Sequence, residues 1–411
     1  MKNKILILSF SLIVIFYKSQ SASAYSYFGI GVMDNVDNAR NLSLGGTGLA
    51  LDSESNINFK NPATNVEFMP GIAILDVGGV VKYNTTTSSG TKDKRFLSNY
   101  NNLGIGFRIT PKMFFTASLQ PTSTSDYKIS STAPIEGTTL QYPVYLEGSG
   151  GIANVAVGLS YKILKDFSLG LKLRNNFGSI TRTENIAVGS STLTDVKVIK
   201  NEYYTGFGSQ FGFFYKKTLK DNLSSISIGG TFDFKTKLTG EGTLKETHNA
   251  DSETIKDVKY TIGDTYLPKE YGIGASYLHK NKWMATVDFQ NKNWEGLQYG
   301  STYEKYYNQQ IYSLGLEILP QKRNYTSISD GFVYRLGANY DTGYYKISSI
   351  KIDKFEASAG LGIPLKNGFM LNVGYSYGVR GMSSAIIKEN YHSINLSLNF
   401  VNRWFQKTYY Q

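Results

Sequence analysis

The chain of 411 residues contains no cysteine, and only three of its residues are histidine. Without thiols there are no disulfides, and no N-terminal cysteine to carry a lipid. His248, His279 and His392 fall in a long loop, a turn and a strand start, at no metal-like spacing. His392 and Ser393 are adjacent, so on a strand they point to opposite faces and cannot form a nucleophile pair. No Gly-x-Ser-x-Gly elbow and no phosphate loop occur, and Gly45-Gly46-Thr47-Gly48 lacks the strand-to-helix context and lysine that phosphate binding needs. The expectation is a protein that is not an enzyme and carries no metal and no cofactor. After Phe16 no apolar segment approaches the roughly twenty residues of a membrane-spanning helix, which excludes a helical membrane protein. Charge is also scarce, at 18% of residues.

What the chain has instead is glycine, aromatics and alternation. Gly numbers 41, Tyr 31 and Phe 23, a composition that suits barrel strands with aromatic girdles. Lys2 and Lys4 precede an apolar run from Ile5 to Phe16, and Ala22-Ser23-Ala24 follows as a small-x-small cleavage site. Residues 1–24 therefore read as a secretory signal peptide, with the mature chain starting at Tyr25. Losing Lys2, Lys4 and Lys18 with the leader takes the formal charge from +11 to +8. The remaining basic residues are scattered without a stripe, so no nucleic-acid partner is expected.

Fourteen stretches alternate apolar and polar residues with period two. They lie near 71–83, 99–109, 112–130, 148–163, 166–182, 203–217, 223–239, 269–279, 282–291, 309–319, 331–344, 352–363, 367–380 and 391–402. In the last, Ile394, Leu396, Leu398 and Phe400 share one face, and Ser393, Asn395, Ser397 and Asn399 the other. Connections after odd strands are mostly long and those after even strands mostly tight. That alternation, with an even strand count, is the layout of an outer-membrane barrel with both chain ends in the periplasm. The apolar stripes, such as Leu103, Ile105, Phe107 and Ile109, hold no charge. Arg108, Lys172, Arg174, Asp233, Lys235, Asp288, Arg335, Asp341, Glu356 and Arg380 are assigned to the opposite face. A soluble sandwich is the alternative, and it gives no reason for segregated loop lengths. The expected fold is all-β: a transmembrane antiparallel barrel of about 14 strands over 70–402, in contact with outer-membrane lipid.

So wide a barrel is either a water channel or filled. Residues 25–69 lack the alternation and are the spare material, expected inside the lumen as a plug or hatch. Their Gly cluster permits tight turns and Pro62 fixes a kink. Pro121 interrupts strand three, where it removes a ladder hydrogen bond. It marks a break in the wall, a sideways exit for an apolar solute, or else lies above the membrane where the strand enters its loop. Residues 403–411 form a C-terminal tail carrying Trp404 and Phe405, an interface anchor or docking strip.

Ala39-Arg40-Asn41-Leu42-Ser43-Leu44-Gly45-Gly46-Thr47-Gly48, then Asn58-Phe59-Lys60-Asn61-Pro62-Ala63, resembles the hatch motif of the long-chain fatty acid transporter family of outer-membrane proteins, the FadL and TodX type. Leu267-Pro268-Lys269-Glu270-Tyr271-Gly272-Ile273-Gly274 with Trp283, Asp288 and Trp294 is similar to a strand pair of that family, and the whole layout agrees. The resemblance implies passive uptake of hydrophobic small molecules, with Gly45, Gly46, Gly48, Asn61, Pro62 and Ala63 in the hatch. It also implies a lateral exit at the Pro121 kink, and an apolar pocket at Tyr25, Tyr27 and Phe28. The chain departs from the pattern in its tail beyond Phe400. Two functions follow as expectations: a channel for fatty-acid-like molecules, or a plugged barrel serving as scaffold or accessory subunit of an outer-membrane complex with other envelope proteins, for secretion or barrel assembly. A general porin fits less well, because the plug would block it.

Overall fold

A computed structural model describes residues 23–33, 37–52, 55–88, 90–134, 139, 141–186, 195–248, 253–297, 305–320, 328–347, 350–365, 368–382 and 387–403. The expected leader, all but Ser23 and Ala24, lies outside them, as do Trp404 and Phe405.

Fourteen strands form the wall. They are β1 (Ile72–Ser88), β2 (Thr91–Thr110), β3 (Met113–Thr124), β4 (Gln141–Leu164), β5 (Phe167–Ile186), β6 (Val196–Thr218), β7 (Ser225–Asp233), β8 (Lys269–His279), β9 (Trp283–Asn293), β10 (Gln309–Ile318), β11 (Val333–Asp341), β12 (Lys354–Pro364), β13 (Phe369–Arg380) and β14 (Ile387–Arg403). Each pairs antiparallel with its neighbour. β14 returns to β1, from Ile72 opposite Arg403 to Ser88 opposite Ile387, and closes the barrel. Closure removes the unpaired edges that would otherwise meet lipid. One rim carries the tight turns, among them Lys280-Asn281, both at positive φ as a two-residue hairpin of primed type demands. The other rim carries the long connections.

Period two sets the faces. Leu103, Val155, Val157, Leu159, Leu169, Phe355, Tyr375 and Ile394 are exposed on the outer surface. Ser393, Asn395, Ser397 and Asn399 are buried inside. Burial of so many Asn and Ser side chains would be costly without partners. The interior supplies them: Asn372 donates to Asn399 at 2.7 Å, and Asn399 and Asn102 donate to Asp76 at 2.6 and 2.7 Å.

Two readings of the sequence need correction. The long connections are largely not loops. β1 and β2 stay paired from Asn84 opposite Arg95 to Ser88 opposite Thr91, and the strands at 127–134 and 236–248, expected to end near 130 and 239, run on against β4 and β6. Apolar alternation fades there, while β-branched runs such as Thr85-Thr86-Thr87 still favour pairing. Lys235 is the second. Ile226 and Ile228 face out and Asp233 in, but Phe234 and Lys235 are both exposed and Thr236 and Leu238 are buried. A bulge between Asp233 and Thr236 reverses the parity and turns Lys235 outward.

Candidate functional site

The N-terminal segment runs through the lumen. Asn38 caps the five-residue helix α1 (Ala39–Ser43), its side chain accepting from the Asn41 amide at 3.0 Å. The helix ends in Gly45 and Gly46 at φ +69° and +74°, a left-handed turn that favours glycine. Asn61 caps the turn at Pro62–Thr64, accepting from the Ala63 amide at 3.0 Å. Both caps hold the backbone in shapes that aim it at the wall.

The wall receives it on most sides. Glu317 of β10 takes a bidentate bond from Arg40 (3.0 and 2.9 Å) and another from Arg335 of β11 (2.7 Å). Asp288 of β9 accepts the Gly48 and Leu49 amides at 2.8 and 3.0 Å, with Lys60 Nζ 3.9 Å away. Ser160 and Ser168 donate to the Pro62 and Ala63 carbonyls at 2.5 and 2.8 Å, and Lys172 to the Phe59 carbonyl at 2.7 Å. Ser276 donates to Ala50 at 2.9 Å, and Ser358 to Ser43 at 3.1 Å. The Asn61 amide bridges the Leu49 and Phe213 carbonyls at 2.7 and 3.0 Å. The approach is close enough to need glycine in the wall: a Cβ at Gly170 would lie 2.6 Å from the Pro62 carbonyl carbon. Ile57, Phe59, Val66 and Phe68 complete the seat against Ile74, Phe114 and Phe214. Burial pushes the Asp37 carboxyl above its ordinary range and the Lys60 ammonium below its own.

Toward the long-loop rim the segment becomes a strap. Tyr25 is 1% exposed, and its hydroxyl donates to the Ile387 carbonyl at 2.5 Å. Its ring and that of Phe28 pack on Tyr345 at 5.9 and 5.6 Å. Tyr27 is half-exposed and meets Tyr127 edge-on. Tyr344 stacks on Trp294 at 4.5 Å, so a layer of rings lies over the strap.

Pro121 sits at a defect in the wall. The β2–β3 ladder ends at Leu103 opposite Leu119, and the β3–β4 register slips between Pro121 and Ser123. β3 stops at Thr124, and the chain resumes as the strand Tyr127–Pro134 against β4. From 102 to 91, β2 has no ladder partner on the β3 side among the described residues, and Arg95 donating to the Lys128 carbonyl at 2.8 Å crosses the seam. The strap covers the defect from inside. Val32 bridges Thr124 at 2.9 and 3.0 Å, and Ser123 donates to the Ile30 carbonyl at 2.7 Å. A small cavity of about 70 Å³ lies behind the seam, against Tyr100, Asn101 and Pro121.

The main free space is about 210 Å³, between plug, strap and wall. Its lining includes Lys60, Lys172, Arg174, Asp233, Glu270 and Lys292. Four of these charges pair, Arg174 with Asp233 and Lys292 with Glu270 at 3.0 Å, while Lys60 and Lys172 donate to the Gly46 and Phe59 carbonyls of the plug. Sequence reasoning singled out the Gly cluster, Asn61-Pro62-Ala63, the aromatic start and Pro121. Glu317 was not among them; its inward parity on β10 is shared with other polar residues and does not single it out.

A family model described as BamG matches residues 1–411. No curated relative is detectably similar in sequence. Among solved structures, the toluene transporter TbuX of Ralstonia pickettii aligns with TM-score 0.62 and 16% identity, over 89% of this chain and 98% of that one. The toluene transporter TodX of Pseudomonas putida aligns with TM-score 0.60 and 14% identity, over 91% and 100%. A FadL homologue of Pseudomonas aeruginosa gives 0.60, 14%, 92% and 100%. At such identities the likeness is one of fold, a FadL-type outer-membrane barrel.

Proposed function

This chain belongs to the BamG family, and we propose that it is a plugged, non-conducting barrel acting as an accessory subunit of an outer-membrane assembly. The chain ends would lie on the periplasmic side and the long connections outside. Residues up to 24 would be removed on export, and the hatch would span residues 25–69. One observation carries this reading: the space left in the lumen is lined in large part by charged and polar side chains, several of them paired. A binding pocket for hydrocarbon is mostly apolar. Here an apolar molecule would displace water from Lys172, Arg174, Asp233 and Glu270 and offer those groups nothing in return. The family description, BamG, points the same way.

Full-length protein, tagged and extracted in mild detergent, is expected to purify in fixed ratio with another outer-membrane barrel through two orthogonal steps. It should show no steady conductance in planar bilayers. Recovery as a solitary protein would sink the accessory reading.

The seam favours a second reading, passage of small hydrocarbons, as the named relatives are transporters of toluene. Molecules would leave sideways between β2 and β3, with Pro121 as the break and Tyr25, Tyr27 and Phe28 at the entry. On this reading Pro121→Ala lowers hydrocarbon uptake into proteoliposomes; unchanged uptake would remove it.

A further inference from the structure

We propose that the outward bulge at Phe234-Lys235 builds a binding site for a phosphorylated glycolipid of the outer leaflet, a property separate from plug and partner. Lys235 Nζ lies 3.9 Å from the centre of the Tyr266 ring, Lys237 Nζ 5.9 Å from the same ring, and Lys269 Nζ 5.2 Å from the Phe232 ring. The ladder holds these groups at one level: Tyr266 pairs with Lys237, and Glu270, next to Lys269, pairs with Asp233. Three ammonium groups thus share one outward patch. Asp264 pairs with Lys237 at 2.7 Å. Asp264 also lies within the field of Lys235 but forms its ion pair with Lys237, so three ammonium groups against one carboxylate leave the patch an excess of two positive charges.

Height selects the ligand. Lys235 is ten residues beyond Ser225, where β7 leaves its tight turn. A tilted strand climbs about 25 Å over that length, which is about the height of the apolar band of such barrels. The ammonium groups therefore stand where hydrocarbon gives way to headgroups. Directly below them the wall is aromatic: Phe234 packs on Phe232 at 4.9 Å and on Phe211 at 5.9 Å. Phe211 and Phe207 are 51% and 67% exposed. An acylated, phosphorylated headgroup fits both parts at once, phosphate on the lysines and acyl chains along the rings. The rings serve a second purpose. They hold the ammonium groups by cation–π contact at the outer edge of the band, with no need for long flexible reach. The parity reversal is what makes this possible, because a regular strand would have turned Lys235 into the lumen.

The test uses the isolated full chain in detergent, so its outcome does not depend on recovering a partner. Bis-phosphorylated lipid A is expected to be retained, by native mass spectrometry, about tenfold better than its enzymatically dephosphorylated form. The triple variant Lys235→Gln, Lys237→Gln, Lys269→Gln should lose that preference while keeping wild-type β-sheet circular dichroism. Because all three side chains lie outside the barrel, a triple variant that does not fold would be replaced by Lys235→Gln alone, expected to lose part of the preference. Equal retention of the two lipids, a variant that keeps the preference, or competition by inorganic phosphate at lipid concentrations would each overturn the proposal. Equal retention of phosphatidylglycerol would overturn the choice of lipid.

Discussion

The two halves of the lumen differ in how completely the wall encloses and fastens the segment inside it. Toward the tight turns, α1 and the Asn61 turn are fastened by buried ions and by backbone groups: Arg40 on Glu317, and Gly48 and Leu49 on Asp288. Toward the long connections, the strap is fastened by hydroxyls, ring contacts and a cation, Arg182 on the Gly29 carbonyl, with Glu389 accepting from Ser23 and Ala24 at its start, beside an incomplete wall. Breaking a buried ion pair leaves an uncompensated charge, whereas losing a ring contact costs far less. The contrast teaches where this molecule can change. The inner half behaves as part of the wall, and any opening belongs to the strap and the seam.

The sharpest way to break that contrast is Glu317→Ala. Arg40 and Arg335 would then lie buried without their shared carboxylate. A loss of about 3–5 kcal/mol is expected from urea unfolding of the reconstituted barrel. Arg40→Met should cost less, because Glu317 keeps Arg335 at 2.7 Å. If the two variants unfold alike, the inner half is not held by this cluster.

The seam gives a smaller effect, read by hydrogen exchange. Amides of β2 that face β3 between 92 and 102 should exchange faster than those at 103–108, which have ladder partners. Removing residues 25–33 from the mature chain should widen the difference, since Val32 and Ile30 hold Thr124 and Ser123 from inside. Uniform protection along β2 would mean a closed wall, and would remove the distinction between the halves.

The fold was legible because period two is forced by the two solvents of a barrel wall. Where apolar alternation fades, as in 84–88 and 91–95, paired strands looked like loops. The inner fastening was half legible. Gly45, Gly46 and Asn61-Pro62-Ala63 carry local signals, turns and caps that few other residues can make. Glu317 carries none, since on β10 it is one inward polar residue among several, and only the packed lumen sets it against Arg40. Lys235 was misassigned for a related reason: a bulge reverses parity without leaving a proline or a glycine at the reversal. Trp294 stood out, but its stacking on Tyr344 joins segments some fifty residues apart, which alternation along one strand cannot reveal.

The smallest expected effect concerns Asp37, where the segment enters the inner half. It accepts from the Asn38 amide and the Asn41 side chain, both at 2.8 Å, within the buried plug. Burial raises its pKa above the ordinary 3.8. Between that value and the raised one, the seated segment binds a proton that the released segment does not. Linkage then makes seating stronger as pH falls through the raised value, with the gain complete below the ordinary one. Asp37→Asn removes the titration, so its seating should show no such slope over that window. The measurement is the urea concentration at which the plug releases and conductance appears, compared from pH 7 down to pH 4 for the two proteins. A plug that loosens monotonically from pH 7 downward, and alike in both proteins, would show that Asp37 is solvated. It would also show that the inner half is less tightly closed than its ion pairs suggest.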